Sequence, residues 1–199
     1  MGSYPKTVRL RDGTEVTLRE VGLDDLERSH RFFLSLPEED RLSLRLDPSH
    51  IENFRVRFEP SDAQDHWRLI ALAGGEIVAE AALHQPRYGW ARHTGELRCV
   101  VSPAFQGKGL GSILFAEIYQ EATRRRIERL YGLVLREQQA AMRISEKLGF
   151  RAELVLSDHL RTPGGELKDM VVMTVNIRDL WRRLEDLMHT MDGQGRERH

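Results

Sequence analysis

The chain has 199 residues, 40% of them hydrophobic, and its 30 basic and 31 acidic side chains leave a net charge of −1. That length carries one well-buried domain and is short for two, and the balanced charge gives no global field towards nucleic acid or a membrane surface. One cysteine, Cys99, excludes an internal disulfide framework and a multi-cysteine metal site. His66, His93 and His159 stand in no metal-ligand spacing, so no metal is expected. No apolar run approaches the ~20 residues of a membrane span and the N-terminus lacks a signal-peptide core, so the expectation is a soluble, cytoplasmic protein.

In chain order, residues 1–10 read as a leader strand or a loose N-terminal arm. Glu15–Val21 alternates apolar and charged residues, the pattern of a half-buried strand, after an Asp12–Gly13 turn. Asp24 with Glu27 three residues on resembles a capping box, and Leu26, Phe33 and Leu36 keep helical spacing. Pro37 breaks that helix, and a charged second one is predicted around Glu38–Leu46. Phe32, Phe33 and Phe54 are assigned to the core. Asp47–Asp65 is irregular, with loop or short-helix character. Trp67–Ala73 and Glu76–His84 are predicted strands joined by the two-residue turn Gly74–Gly75. A polar loop, Gln85–Thr94, returns the chain to a central strand at Gly95–Val101.

A helix over Leu110–Arg126 follows, with Leu110, Leu114, Ile118 and Ala122 as its buried stripe. Leu130–Leu135 is a short strand, followed by a helix that stops at Gly149–Phe150. Glu153–Asp158 and Lys168–Val175 read as a closing hairpin around residues 162–165. Asn176 can cap a last helix over 176–192, packed on the domain or forming a dimer interface, and residues 193–199 are a polar tail predicted to be disordered. Monomer and homodimer are both open.

The chemistry concentrates in Glu96–Gly111, ELRCVVSPAFQGKGLG. A strand that delivers a glycine-rich turn onto a helix N-terminus is a recipe for an anion site. The first-turn N–H groups lack helical partners, the helix dipole favours negative charge, and glycine lets a phosphate approach the backbone. Two nucleotide motifs fail here: Lys108 is followed by Gly109 rather than Ser or Thr, and Ser112 stands where a third dinucleotide-loop glycine would fall. The pattern that fits is Gln/Arg-x-x-Gly-x-Gly/Ala, as Gln106, Gly109 and Gly111.

This pattern resembles the acyl-CoA loop of the GNAT N-acetyltransferases. The block Leu130–Phe150, LYGLVLREQQAAMRISEKLGF, is similar to that family's next strand and helix at the right spacing. Arg11–Val21 with Asp24–Leu36 is similar to its opening, and closest to the bacterial protein-lysine acetyltransferase (Pat-type) branch. The resemblance spans residues 11–175. It implies an α/β (α+β) fold with a mixed, mostly antiparallel, V-splayed central sheet flanked by helices. It further implies transfer of an acetyl group from acetyl-CoA to a primary amine, a protein lysine among the candidates, by direct attack in a ternary complex. A small-molecule amine acetyltransferase and a non-catalytic acyl-CoA-binding regulatory module are the alternatives.

The amine chemistry sets requirements. A lysine amine, with a pKa near ~10.4, is protonated at neutral pH and needs a base before it can attack. Glu96, ten residues before Gln106, stands where the Pat-type branch carries its catalytic glutamate; the competing reading is a plain ion pair with Arg98. By the family pattern, a backbone N–H near Val100 or Val101 would bind the thioester oxygen. Backbone groups of Cys99, Val100 and Val101 would pair with the pantetheine arm. The N–H groups of Gln106, Gly107, Lys108, Gly109, Leu110, Gly111 and Ser112 would hold the pyrophosphate. Gln138 replaces the common Asn at the CoA-arm position, and Ser145 stands where many members carry a tyrosine acid. His84 is a second candidate base.

Overall fold

The computed structural model describes residues 4–41, 48–59 and 65–179. Two apolar faces define it. Val16 and Leu18 on β2 (Glu15–Glu20) alternate with polar neighbours, so one face of the strand is buried, as the sequence pattern requires. Lys6–Arg9 is β1 and pairs antiparallel with β2, which makes the N-terminal segment a strand of the sheet rather than a loose arm. Among the described residues eight strands form one sheet in the order β1-β2-β3-β4-β5-β6-β8-β7. The remaining strands are β3 (His66–Ala73), β4 (Glu76–His84), β5 (Thr94–Val101), β6 (Arg129–Leu135), β7 (Arg151–Arg161) and β8 (Leu167–Asn176). Gly74 and Gly75 make the β3–β4 turn as expected.

On one face lies α4 (Leu110–Arg124), whose predicted stripe Leu110, Leu114, Ile118 and Ala122 is fully buried. Each Leu or Ile removed from water there contributes roughly 1.5–3 kcal/mol. On the other face, α1 (Leu26–Ser35) and α3 (Ile51–Arg55) bring Phe32, Phe33 and Phe54 onto Ile70 and Ile77, so those phenylalanines are core. Residues Val56–Phe58 continue α3 as a tight 3-10 turn that carries Arg57 to the sheet.

The cap of the first helix differs from expectation. The carboxylate that accepts the loop N–H is Asp25, bound to Gly22 N at 2.8 Å and to Arg19 at 2.6 and 2.7 Å, rather than an Asp24–Glu27 pair. Asp25 is 1% exposed, and the Arg19 guanidinium holds its carboxyl below the usual range. The second predicted helix appears as α2 (Glu38–Arg41), and the rest of its expected span, 42–46, lies outside the described residues. Asn176 does cap a turn, accepting from Arg178 N and Asp179 N, but the expected continuation over 180–192 and the tail 193–199 also lie outside them. No helix among the described residues is long and apolar enough to cross a membrane.

One irregularity positions everything that follows. β5 and β6 run parallel but pair only from Thr94–Glu96 to Arg129–Tyr131. Beyond Glu96, β5 stays on β4 as far as Val101 while β6 stays on β8 as far as Leu135. The sheet therefore divides into two leaves, giving the V-splay that the family resemblance implied.

Candidate active site

The splay opens into a cleft of about 1470 Å³ that runs from the glycine-rich loop to the floor formed by β3, β4 and β5. Its two halves are built differently.

In the half nearer α4, backbone groups face the cleft. Ser102 N–H donates to Val78 O at 2.9 Å on β4. Because successive peptide groups of a strand point to opposite sides, Val100 also turns towards β4, whereas Cys99 and Val101, past the last β5–β6 pair, turn their N–H and C=O groups to the open edge. Of the two expected donors, Val101 is thus the one whose N–H faces the splay. Its carbonyl is taken by the Gln106 side chain at 3.0 Å, which ties the strand end to the loop. Gly107 (φ 73°) and Gly109 (φ 91°) hold left-handed conformations, and Gly109 is the residue before the first turn of α4. No side chain caps that turn and no acidic residue lies in it, so the N–H groups of Leu110, Gly111 and Ser112 sit at the positive end of the dipole. A pyrophosphate fits such a cradle.

The loop is braced from an unexpected direction. Arg11 N–H donates to Lys108 O at 3.0 Å, and Lys108 Nζ meets Asp12 at 2.9 Å, so the turn between β1 and β2 holds the loop from behind. The Lys108 side chain is thereby engaged, and its backbone is the part that belongs to the cradle. Lys108 holds the exposed Asp12 carboxyl down at about 2. The Cys99 side chain packs beside the main core, and burial pushes its thiol up to about 12, which suits a packing role and not that of a nucleophile.

In the other half the floor is a grid of cross-strand neighbours. His66, His84, Glu96 and Tyr131 form one row across four strands, and Arg68, Ala82 and Arg98 the next; Ile70, Glu80 and Val100 form a third. Glu96 is 4% exposed; Arg98 donates to its Oε1 at 2.8 and 3.1 Å, and Tyr131 OH approaches its Oε2 at 3.5 Å. The ion pair and the cleft-facing position therefore coexist in one residue. Glu80, 4% exposed, is bound by Arg57 and by Ser29 Oγ at 3.3 Å. The Arg57 guanidinium lies over the rings of Phe33 and Phe54, 4.7 and 4.6 Å from their centroids, and Arg68 donates to Arg57 O at 2.8 Å. Sequence reasoning missed Arg57, Arg68 and Glu80: their only signal is strand register, which a linear motif does not carry.

On α5 (Gln139–Lys147), Ser145 is buried and borders the cleft. Gln138, just before it, reaches Asp40 Oδ1 on α2 at 3.4 Å, so its amide spans the cleft mouth. Of the two tyrosines near the site, Tyr119 donates to Leu148 O at 2.6 Å and burial raises its phenol, whereas Tyr131 adjoins Glu96. Among the described residues no group of three or more His, Cys, Asp or Glu side chains could hold a metal ion.

Comparison with known proteins fits this architecture. The model of the Acetyltransferase (GNAT) family matches residues 22–150. Among solved structures, the GNAT domain of Streptomyces lividans (S. lividans) PAT superposes with a TM-score of 0.72 and 25% identity over 87% of this chain and 99% of that one. A putative acetyltransferase from Salmonella typhimurium, solved with acetyl-CoA, has a TM-score of 0.68 and 20% identity over 81% of this chain and 94% of that one. A ribosomal-protein-alanine N-acetyltransferase from Brucella melitensis gives 0.67 and 21%, over 80% and 98%. With the family model covering well over half its length and the splayed sheet in place, the chain belongs to the GNAT family of acetyltransferases, which draw their acetyl group from acetyl-CoA.

Proposed function

We propose that the protein acetylates a protein lysine side chain from acetyl-CoA in a ternary complex, with Glu96 as the general base. The observation that carries this reading is the place of Glu96: a buried carboxylate on the cleft floor, at the last residue pair before β5 and β6 part. A base there meets the acceptor at the point where the open edge of β5 begins.

Each step falls to a group of this chain. Glu96 takes the proton of the incoming ammonium, leaving a neutral amine that attacks the thioester. The Cys99 peptide groups and the Val101 N–H pair with the pantetheine arm as an added strand would. The loop and the first turn of α4, Gln106 to Ser112, hold the pyrophosphate.

The lysine reading draws support from the likeness to the S. lividans PAT domain, at 25% identity, and from the charge of the floor. A polyamine site calls for unpaired acids. Here Glu80 and Glu96 are each already met by an arginine, and Arg68 adds a third cation.

The test is acetyl-CoA turnover, followed by thiol release, on lysine-bearing proteins and small amines, with CoA affinity measured by calorimetry. Turnover on proteins that collapses in Glu96→Gln while CoA still binds supports the proposal. Turnover confined to small amines would replace the acceptor, CoA binding with no turnover would make the chain a sensor, and absence of CoA binding would remove the donor site.

A further inference from the structure

His84 is a titratable residue of the Glu96 row that the reaction above leaves unused. It pairs directly with Glu96 across β4 and β5 and borders the same cleft. The ladder parity fixed by Ser102 and Val78 makes this a hydrogen-bonded pair, with Cβ atoms about 5 Å apart and both side chains on the floor. The His84 Nδ1 is buried and has no hydrogen-bond partner. A buried imidazole nitrogen without a partner costs about 1–3 kcal/mol, and such groups tend to persist where function uses them. On its far side the ring stacks on His66 of β3, with centroids 4.4 Å apart and planes at 25°. Two half-buried imidazoles thus lead from Glu96 to the outer edge of the floor.

We infer that His84 is the proton outlet of the site, a positioning residue that acts through Glu96 by returning it to the carboxylate form in each cycle. This rests on the reading of Glu96 as the base. The proton balance is simple. The acceptor ammonium gives its proton to Glu96, which becomes a carboxylic acid as the amine becomes neutral. The acid passes that proton across one water to His84 Nδ1, restoring the carboxylate and forming an imidazolium, which releases it to solvent at the rim.

The outlet explains why a base as enclosed as Glu96 can turn over. The titratable and charged groups in the same row and the next are His66 and Arg68 on β3, Glu96 and Arg98 on β5 and Tyr131 on β6. Asp65, just before β3, adds a buried Oδ1 that has no partner, and its backbone carbonyl accepts from Gln85 N at 2.9 Å, beside His84. An imidazole must be neutral to accept a proton, so this route uses the neutral ring of His84 and closes when that ring is protonated.

The experiment is a pH–rate profile of wild type, His84→Gln and His84→Asn on the same protein acceptor, with imidazole as a variable buffer component. The expected result is a kcat lowered about tenfold in both variants, restored by added imidazole, with acceptor KM and CoA affinity within twofold and a pH–rate profile that differs from that of wild type. Wild type should not respond to imidazole. Wild-type kcat and pH profile in the variants would overturn the proposal. So would a loss that imidazole does not restore, or a change in KM alone. Glu96→Gln is run in parallel. If it turns over normally, the base reading itself has failed; if it collapses while the His84 variants behave as wild type, only the outlet has.

Discussion

The donor half of the cleft, from Cys99 to Ser112, presents peptide groups, whereas the acceptor half presents charged side chains drawn from three strands and the turn after α3. A peptide surface depends on backbone path and tolerates most side chains, provided glycine stands where φ is positive. A side-chain floor depends on register, and each of its charges needs a partner close by. The two halves should therefore fail differently: donor-side changes act on CoA affinity, acceptor-side changes on acceptor kinetics.

The largest effect should come from Glu96→Gln, with kcat down about a hundredfold or more and CoA affinity within twofold; equal losses in both would erase the division. Next is the scaffold under the acceptor half. Asp25→Ala leaves Arg19 without its buried partner and Gly22 N–H without an acceptor, and should lower stability by about 2–3 kcal/mol in denaturant unfolding at pH 7. Because Arg19 depresses the folded-state pKa of Asp25, that contribution is full above the unfolded value of ~3.9 and disappears as pH falls through the lower folded one. A wild-type–variant gap that stays unchanged in strong acid would contradict this origin.

On the donor side, Gly109→Val forces a branched residue to φ 91° against the Arg11 side chain, and should weaken CoA binding about tenfold with kcat at saturation nearly intact. Arg98→Ala is subtler. It removes the cation that an incoming ammonium must displace from Glu96, so the acceptor KM should fall about threefold. A rise in KM would instead make Arg98 the residue that aims the carboxylate. The smallest change is expected for Asp12→Asn, which loosens a half-exposed brace on the loop and should alter CoA affinity by less than about threefold.

The same division explains what the sequence disclosed. The glycine loop and the α4 stripe are local patterns, set by spacing within one turn or one helix, and both were legible. Glu96 was legible because it lies on the same continuous segment as that loop. Arg57, Arg68 and Glu80 were not, because they become neighbours only when β3, β4 and the α3 extension come together. Gln138 meets Asp40 from far along the chain, a contact no family spacing encodes. The helix cap was misread for a smaller reason: Asp24 and Asp25 are adjacent acids, and only the geometry of Gly22 and Arg19 selects the second.

The hydrogen bond from Arg11 N–H to Lys108 O makes the first hairpin a mechanical extension of the glycine loop. When the loop is clamped by a pyrophosphate, that amide is held closed with it, so its hydrogen–deuterium exchange should slow as CoA binds. An amide near the start of the chain would then serve as a built-in gauge of occupancy. A fusion tag that strains the first strand would register as weaker binding of the donor.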